Sequence, residues 1–317
     1  MSPPSVVALG GGHGLHASLS ALRHVVDDLT AIVTVADNGG SSGRLRGEFG
    51  VLPPGDLRMA LAALCGDDAW GRTWEHVVQH RFHGDGELAG HVVGNLLLVG
   101  LWDLLGDPVE GLGWMARLLG ARGRVLPMAL TPMDIHAEVR GLHPTDPHRL
   151  TTVRGQVDVA TTQGIISSIR LEPADPVACP EAVAAVREAD WVVLGPGSWY
   201  TSVIPHLMVP ALREALITTS ARVLVNLNLT GQEGETRGYA PEDHLAALRD
   251  HAPDLVLDTV VADRGTVTDR PVLEGAVASW GARLEVADVA CADGSPRHDV
   301  GKLAAAYRRL LGGVEGD

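Results

Sequence analysis

The sequence predicts an α/β fold: a doubly wound and mainly parallel sheet with a small β-rich insertion. Two observations lead to this prediction. Short runs of apolar and β-branched residues alternate with longer helical patterns, which is typical of parallel strands joined by covering helices. The 317 residues are 45% hydrophobic and 20% charged, so the chain can bury a large core. Because no linker or repeat divides it, we predict a single domain over residues 1–317.

The alternation of elements begins at a short apolar run near the start of the chain. The segments predicted there are a strand at 5–9, a helix at 15–25, a strand at 29–36, a glycine-rich loop at 37–56 and helices at 57–64, 74–81, 91–105 and 109–119. Short strand-like runs between proline, threonine and glycine clusters predict the β-rich insertion at 125–171. The remaining predicted segments are helices at 180–189, 209–218, 241–250 and 300–311 and strands at 191–194, 222–227 and 255–261.

Charge and cysteine usage exclude several classes of protein. Lysine and arginine number 25 against 39 acidic residues, and the net charge of −14 argues against binding to nucleic acid or to an anionic membrane. Three widely spaced cysteines fit a reducing compartment better than a disulfide framework. No apolar run is long enough for a signal peptide or a membrane span. We therefore expect a cytoplasmic protein without membrane insertion.

A run of glycines follows the first strand and opens the first helix. The candidate ligand-binding residues in this turn are Gly11, Gly12, His13 and Gly14. Glycines let a ligand approach the backbone, and the free amides of a helix N-terminus attract phosphate. The run also fits the looser dinucleotide-binding pattern, with Asp37 after the second strand as the acid for a ribose. A plain turn without a ligand, and a solvent-facing His13, are the alternatives.

A polar loop leaves the second predicted strand. Its candidate phosphate-binding residues are Asp37, Asn38, Ser41, Ser42 and Arg44. Hydroxyl and guanidinium groups donate hydrogen bonds to phosphate oxygens, and open α/β sheets bind ligands where strands end. A flexible serine–glycine loop is the alternative, but arginines directly after glycines in an acidic chain favour an anion.

Asp56 follows two prolines and a glycine and precedes a predicted helix. It is a suitable N-cap for that helix, a role that needs no ligand. Alternatively, Asp37 and Asp56 stand at neighbouring strand ends and together hold Mg²⁺ against a diphosphate. No other motif requires a cofactor, so the sequence leaves open whether the protein binds Mg²⁺.

A second glycine turn follows the strand predicted at 191–194 and repeats the pattern of the first. Its candidate nucleotide-binding residues are Gly195, Gly197, Ser198, Tyr200, Thr201 and Ser202. Backbone amides and hydroxyls at such a turn favour a phosphate or a sugar. We expect the glycine turns to meet at one edge of the sheet and to hold a pyrophosphate there.

Weaker signals come from isolated polar side chains. His91 and Asn95 lie four residues apart on one helix face, which favours a structural pair, although Asn95 is kept as a candidate ligand. The remaining candidates for contact with a sugar are Asn228, Gln232, Glu235 and Arg297. The sequence contains no Ser-His-Asp signature, no His-Glu-x-x-His motif and no Walker lysine, so no catalytic residue is predicted.

These motifs resemble those of the gluconeogenesis factor family, inside the wider 2-phospho-L-lactate transferase-like superfamily. The resemblance covers nearly the whole chain, and its motifs are GGGHGL at 10–15, VADNGGSSGRLR at 35–46, PPGDLR at 53–58, GHVVGNLLL at 90–98, GPGSWYTSVIP at 195–205, QEGET at 232–236 and HD at 298–299. It implies a Rossmann-like fold that binds UDP-N-acetylglucosamine or a similar UDP-sugar. It also implies a cytoplasmic regulatory role, required for cell shape and cell-wall homeostasis under gluconeogenic growth.

The transferase members of the superfamily imply a different activity. They move phospholactate from a guanosine diphosphate donor to a deazaflavin, with metal-binding aspartates that Asp37 and Asp56 match by motif. This chain departs from the family pattern at His13, Asn38 and Trp199, where a threonine, an aspartate and a leucine are usual. The loss of the second acid at Asn38 argues against metal catalysis.

Three hypotheses are compatible with the sequence. We favour a nucleotide-sugar sensor without turnover, because no base–nucleophile pair is recognisable. The alternatives are a Mg²⁺-dependent transferase of phosphorus-containing groups and a nicotinamide-dinucleotide binder that uses residues 12–17 and Asp37. The serines and arginines that follow Asp37 favour a second group of phosphate-binding residues over a ribose-binding site. The expected partners are a UDP-sugar and regulatory proteins, and the sequence allows a homo-oligomer.

Overall fold

The computed structural model describes residues 3–232 and 234–312, so Glu233 of the QEGET motif lies outside the described residues. The strands are β1 (Val6–Gly10), β2 (Leu29–Val33), β3 (Arg124–Pro127), β4 (Asp134–Arg140), β5 (Thr151–Arg154), β6 (Ile165–Glu172), β7 (Trp191–Leu194), β8 (Arg222–Asn226), β9 (Thr259–Asp263) and β10 (Arg283–Ala287). Seven of them form one parallel sheet in the order β10-β9-β8-β7-β1-β2-β3. This is the doubly wound α/β fold that the sequence predicts.

The centre of the sheet contains the topological switch point, because β1 pairs with β2 on one side and with β7 on the other. Val6 is in register with Leu29 and with Trp191. β2 and β3 follow β1 toward one edge of the sheet, and β8, β9 and β10 follow β7 toward the other edge. In open parallel sheets a crevice forms beyond the carboxyl ends of such a pair of strands, and ligands bind there.

Twelve helices are described, and those beside the main sheet pack on both of its faces. Their bounds are α1 (Gly12–Leu22), α2 (Gly40–Phe49), α3 (Pro54–Ala63), α4 (Ala69–Gln79), α5 (Val93–Leu105), α6 (Pro108–Leu119), α7 (Gln156–Ala160), α8 (Pro180–Glu188), α9 (Pro210–Thr218), α10 (Pro241–His251), α11 (Arg270–Ala278) and α12 (Val300–Leu311). α1 packs between α3 and α12, whereas α8 packs on α9 and α10 on α11. β1, β2, β7 and β9 are buried along their whole length, which explains their continuous apolar runs. No helix in the described part of the chain is long and apolar enough to cross a bilayer.

The predicted β-rich insertion is present as a second, antiparallel sheet. Its order is β5-β4-β6, with the short helix α7 between β5 and β6. Its strands run from 134 to 172, so the predicted beginning at 125 is too early. Residues 124–127 instead form β3, which pairs in parallel with β2 at the edge of the main sheet. Val125 and Leu126 are buried there, because β3 packs against α3 and α6.

The glycine-rich loop predicted at 37–56 contains a helix, and this part of the prediction is wrong. α2 forms because Leu45 is buried in the core and Gly50 ends the helix in the left-handed region, at φ +67°. The helix predicted at 300–311 is found with the same bounds, and its N-cap Asp299 accepts the Lys302 amide at 2.9 Å. α11 and β10 were not predicted.

Candidate functional site

The turns after β1 and β7 are in direct backbone contact at the switch point. A Cβ atom placed on Gly14 would overlap the carbonyl group of Pro196 and the Cα atom of Gly197. A Cβ atom placed on Gly197 would lie 3.6 Å from Gly11 O. Only glycine at position 14 permits this approach, so the glycine spacing of the first turn is explained by packing on the second.

A cavity of about 610 Å³ opens beside these two turns. Its lining includes residues from the turn after β1, the turn after β7, the loop after β8 and the segment before α12, among them His13, Gly14, Gly197, Asn228, Gln232, Arg297 and His298. We call it the large cavity. The structure thus brings together predicted residues that are distant in sequence.

Asn228, predicted to contact a sugar, holds two turns together at the wall of the large cavity. Its Oδ1 accepts the Gly197 amide at 2.9 Å, and its Nδ2 donates to Gly197 O at 2.8 Å. Both functional atoms of the side chain are therefore used within the protein. Asn228 fixes the turn after β7 against the loop after β8.

Glu235, another predicted sugar ligand, lies inside the protein and not along the large cavity. Its carboxylate accepts hydrogen bonds from the backbone amides of Tyr200 and Thr201 and, at 2.8 Å, from Thr201 Oγ1. Burial raises the pKa of Glu235, and these hydrogen bonds oppose that rise. The carboxylate thus occupies the amino end of the helical segment 199–208, the position where the sequence predicts a phosphate.

The other predicted residues of this turn divide between the core and the switch point. The Tyr200 hydroxyl hydrogen-bonds the Tyr239 hydroxyl at 2.9 Å, and burial raises the pKa of Tyr200. Ser202 Oγ faces the first turn, 3.2 Å from a Cβ atom placed on Gly11. Ser198 is half-buried beside Glu235.

Asp37 and Asp56, the predicted metal pair, are neighbours in the structure. A Cβ atom on Gly55 would lie 3.0 Å from Asp37 Oδ2, and one on Gly11 would lie 2.6 Å from Asp56 Oδ2. Desolvation and the charge of Asp37 raise the pKa of Asp56 to about 7, whereas a hydrogen bond from the Gly12 amide lowers it. The pair lies directly under the first glycine turn.

The donor set around this pair fits a Mg²⁺ ion that arrives with a phosphate. Mg²⁺ is commonly held by one or two carboxylates, several waters and the phosphate oxygens of a substrate. Over residues 3–232 and 234–312 no group of three or more His, Cys, Asp or Glu side chains could hold a metal. Thr34 Oγ1, next to Gly11, is buried without a hydrogen-bond partner among the described residues. Asp37 and Asp56 would hold such an ion.

Ser41 and Asn95 form a buried polar cluster instead of facing the large cavity. Ser41 Oγ accepts the Asn95 amide group at 3.1 Å and lies 3.1 Å from His91 Nδ1. Asn95 Oδ1 accepts Arg58 Nε at 3.0 Å. This cluster joins the beginnings of α2 and α5, which supports the structural interpretation of the His91–Asn95 spacing.

The loop after β2 has its own cavity, of about 570 Å³, which we call the arginine cavity. Its lining includes Asn38, Ser41, Arg44 and Arg81. Arg44 donates to Ala89 O at 2.8 Å. Asn38 Oδ1 accepts the amide of Val157 in α7 at 3.1 Å and so contacts the insertion. The predicted loops thus meet at one edge of the sheet, but they line two cavities.

Comparison with known proteins shows the family to which the chain belongs. The family profile described as 2-phospho-L-lactate transferase CofD matches residues 6–284. A protein of Mycobacterium tuberculosis named "Putative gluconeogenesis factor" is 52% identical over 303 residues, covering 95% of this chain and 88% of its own. The gluconeogenesis factor of Bacillus subtilis is 38% identical over 266 residues, covering 84% of this chain and 80% of its own. The crystal structure of a UPF0052 family member from Bacillus halodurans has a TM-score of 0.85 at 35% identity, covering 96% of this chain and 99% of that one.

The chain belongs to the gluconeogenesis factor family, within the CofD-like superfamily. This confirms the resemblance drawn from the glycine and serine motifs. The same α/β fold in a solved relative confirms the predicted fold class.

Three residues that lie at or near the candidate site of this gluconeogenesis factor family member are not among the predicted site residues. Arg58 is buried, and desolvation lowers its pKa to about 10. Arg81 lines the arginine cavity. His298 lines the large cavity beside the predicted Arg297, and burial lowers its pKa to about 4. Arg58 and His298 stand inside motifs, PPGDLR and RHD, that could have indicated them, whereas Arg81 has no such signal.

Proposed function

We propose that this protein is a cytoplasmic regulatory protein that binds a nucleotide sugar, UDP-N-acetylglucosamine or a similar UDP-sugar, in the large cavity. One observation carries the proposal: the two glycine turns at the switch point meet beside a cavity lined by polar groups. Open parallel sheets bind nucleotides at this position. The family assignment supports the same ligand class.

The chemistry of the lining suits a ligand with both an anionic and a hydroxyl-rich part. His13 and Gly14 lie in the first turn of α1, where backbone amides have no intrahelical partner and attract phosphate. Arg297 offers a guanidinium group on the opposite segment. Gln232 and His298 line the same cavity, and Gln232 Oε1 and His298 Nε2 are buried without a hydrogen-bond partner in the described part of the chain. Sugar hydroxyls, which both donate and accept, would supply hydrogen-bond partners to both atoms.

The same cavity supports binding without turnover. Its described lining residues include histidines and the hydroxyl group of Thr230 but no carboxylate or thiol. Nucleophilic catalysis requires a nucleophile and a base within hydrogen-bond reach of each other. We therefore propose that the protein reports on the supply of cell-wall precursors and that it is required for cell shape and cell-wall homeostasis under gluconeogenic growth. Such a sensor passes its state to regulatory protein partners by binding them differently in its free and loaded forms.

Isothermal titration calorimetry with UDP-N-acetylglucosamine tests this proposal. We expect saturable binding, no product after long incubation, and about tenfold weaker binding for Arg297→Ala because a charge-assisted hydrogen bond is lost. Arg270→Ala, on the exposed side of α11, is the matched control and should bind as the wild type does. Absence of both heat and a thermal shift would contradict the proposal, and stronger protection by NAD would favour the dinucleotide hypothesis.

A second candidate function is a Mg²⁺-dependent transferase of phosphorus-containing groups. The adjacency of Asp37 and Asp56 under the first glycine turn favours it, as does the separate arginine cavity, which offers room for an acceptor. Mg²⁺ would supply charge neutralisation at a phosphate there. Asp37→Asn should abolish a metal-dependent release of nucleotide from a nucleotide-diphosphate donor. Persistence of that release in the variant would exclude this role for Asp37.

A further inference from the structure

A third cavity, of about 450 Å³, lies on the other side of the loop that follows β8. The segment 228–231 borders both this cavity and the large cavity, so it forms a common wall. The other sides come from the beginning of α10 and from the loop after β9. Nothing in the proposed binding of phosphate requires this space.

The lining of the third cavity includes the imidazole of His244, which is 2% exposed. Its Nδ1 lies 3.0 Å from Ala240 O. Because a carbonyl oxygen only accepts hydrogen bonds, Nδ1 carries the proton and donates it. Burial lowers the pKa of His244, so the ring is neutral near pH 7 and its Nε2 presents a lone pair.

His244 Nε2 is buried without a hydrogen-bond partner among the described residues. Its ring is held edge-on against Trp199 and Tyr239, with centroids 5.2 Å and 5.4 Å away. The ring therefore cannot rotate freely to find another partner. A buried acceptor without a donor is unfavourable, so this position favours an occupant that supplies an N–H or O–H group.

The rest of the lining indicates that this occupant is uncharged. None of the described lining residues carries a charged side chain. Leu229, Tyr239 and Pro241 provide apolar surface, whereas Thr266 and Thr268 provide hydroxyl groups at the other side. Such a mixture suits a planar base or a sugar ring and does not suit a phosphate.

We propose that the third cavity binds an uncharged ring that donates an N–H or O–H hydrogen bond to His244 Nε2. The ring is the base or the sugar of the nucleotide sugar whose phosphates bind in the large cavity, so this inference rests on the proposed function. The two parts of the ligand then lie on either side of the common wall formed by segment 228–231. His244 becomes a residue that selects the ligand through one hydrogen bond.

Two variants test the proposal by different physical means. His244→Phe keeps an aromatic ring against Trp199 but removes the acceptor. Thr268→Trp fills the mouth of the cavity from an exposed position and leaves the core unchanged. Thr73→Trp, at an exposed position of α4, is the control for adding an indole to the surface. Circular dichroism checks that each variant is folded.

Calorimetric titration compares UDP-N-acetylglucosamine, UDP and N-acetylglucosamine 1-phosphate. We expect His244→Phe and Thr268→Trp each to weaken the binding of UDP-N-acetylglucosamine about tenfold. The affinity of the control variant should stay within about twofold of the wild-type affinity. If the base occupies the third cavity, the variants should lose the same affinity for UDP. If the sugar occupies it, they should lose the same affinity for N-acetylglucosamine 1-phosphate. Wild-type affinity of both variants for all three ligands would overturn the inference.

Crystals soaked with uridine or with N-acetylglucosamine separate this inference from the proposed function. A ring within hydrogen-bond distance of His244 Nε2 supports the inference even if the intact UDP-sugar shows no heat, a result that would contradict only the proposed function. Water alone at Nε2 in both soaks overturns the inference, whatever the large cavity binds.

Discussion

The carboxyl group of Asp56 accepts the Gly12 amide and lies beside Asp37, and desolvation with the Asp37 charge raises its pKa to about 7. The ordinary value is 3.8, so the unfolded chain releases this proton at lower pH than the folded protein does. A carboxyl group with a raised pKa makes the free energy of unfolding fall as the pH rises between these two values. Above pH 7 the folded protein bears the full cost of the ionised group. Such a cost is common at functional sites.

Asp56→Asn should therefore stabilise the protein at alkaline pH. The asparagine keeps an oxygen for the Gly12 amide but carries no charge beside Asp37. We expect the free energy of unfolding to rise by about 2 kcal/mol at pH 8 and to change little at pH 4, where Asp56 is already protonated in the folded protein. Urea unfolding in the presence of a chelator measures this difference.

Asp103→Asn, at an exposed position of α5, is the control for removing a carboxylate and should change the free energy of unfolding by less than about 0.5 kcal/mol at either pH. Equal loss of stability for Asp56→Asn at pH 4 and pH 8 would show that Asp56 has a structural and not an electrostatic role.

Residue type and spacing located the edge of the sheet where the polar groups gather, but not what each side chain does there. Glu235 contacts Tyr200 and Thr201, and Ser41 contacts Asn95, across separations of 34 to 54 residues. Residues of these types are common in ligand-binding sites. Only the tertiary structure shows that these side chains form hydrogen bonds with other parts of the protein. The sequence therefore predicts where the candidate site lies, but it does not distinguish residues that could contact a bound molecule from residues that hold the site in place.

At the scale of elements, the start of α1 is held against the turn after β7 by backbone contact at Gly14. Gly14→Ala should force the two turns apart, because its Cβ atom would overlap Pro196 O and Gly197 Cα. We expect a loss of about 2 kcal/mol in the free energy of unfolding. We also expect at least tenfold weaker binding of UDP-N-acetylglucosamine. Chemical denaturation and calorimetry measure the two effects.

Gly47→Ala is the matched control, because Gly47 lies in α2 with open space around a Cβ atom. It should raise the free energy of unfolding by about 0.5–1 kcal/mol through helix propensity, without a change in ligand affinity. A Gly14→Ala variant as stable as the wild type would mean that the turns do not approach as closely as the structure shows.

Elements with strong periodicity or clear caps were predictable, and elements defined by their neighbours were not. β7 and α12 have the predicted bounds because an apolar run and an Asp cap define them locally. α2 contains three glycines and two serines, so its local helix propensity is low and it depends on the burial of Leu45. β3 is only four residues long, and its place in the main sheet depends on pairing with β2, which is not visible locally.

Across the whole molecule, the three cavities follow the order of the strands. The third cavity lies by the loops after β9 and β8, the large cavity by the turns after β8, β7 and β1, and the arginine cavity by the loop after β2. With about 4.8 Å between strands, β9 and β2 are about 19 Å apart. Asp56 lies beside Gly11 in the turn after β1, and Asp37 directly precedes Asn38, which lines the arginine cavity.

Hydrogen–deuterium exchange with mass spectrometry should reveal this arrangement in solution. We expect the slowest exchange in the buried strands β1 and β7, since opening them requires global unfolding. UDP-N-acetylglucosamine should slow exchange at 11–14, 196–198 and 228–232 and leave the insertion at 134–172 unchanged. Protection confined to 38–44 and 81–90 would place the nucleotide in the arginine cavity instead.

The carboxylate that caps segment 199–208 also bears on the energetics of recognition. The Glu235 carboxyl group accepts hydrogen bonds from Tyr200 and Thr201, so the backbone after β7 is ordered before any ligand arrives. A ligand that meets a rigid turn loses less conformational entropy on docking than one that must order the turn itself. Preorganisation by an internal hydrogen-bond acceptor would thus let this part of the protein receive a ligand without first changing shape.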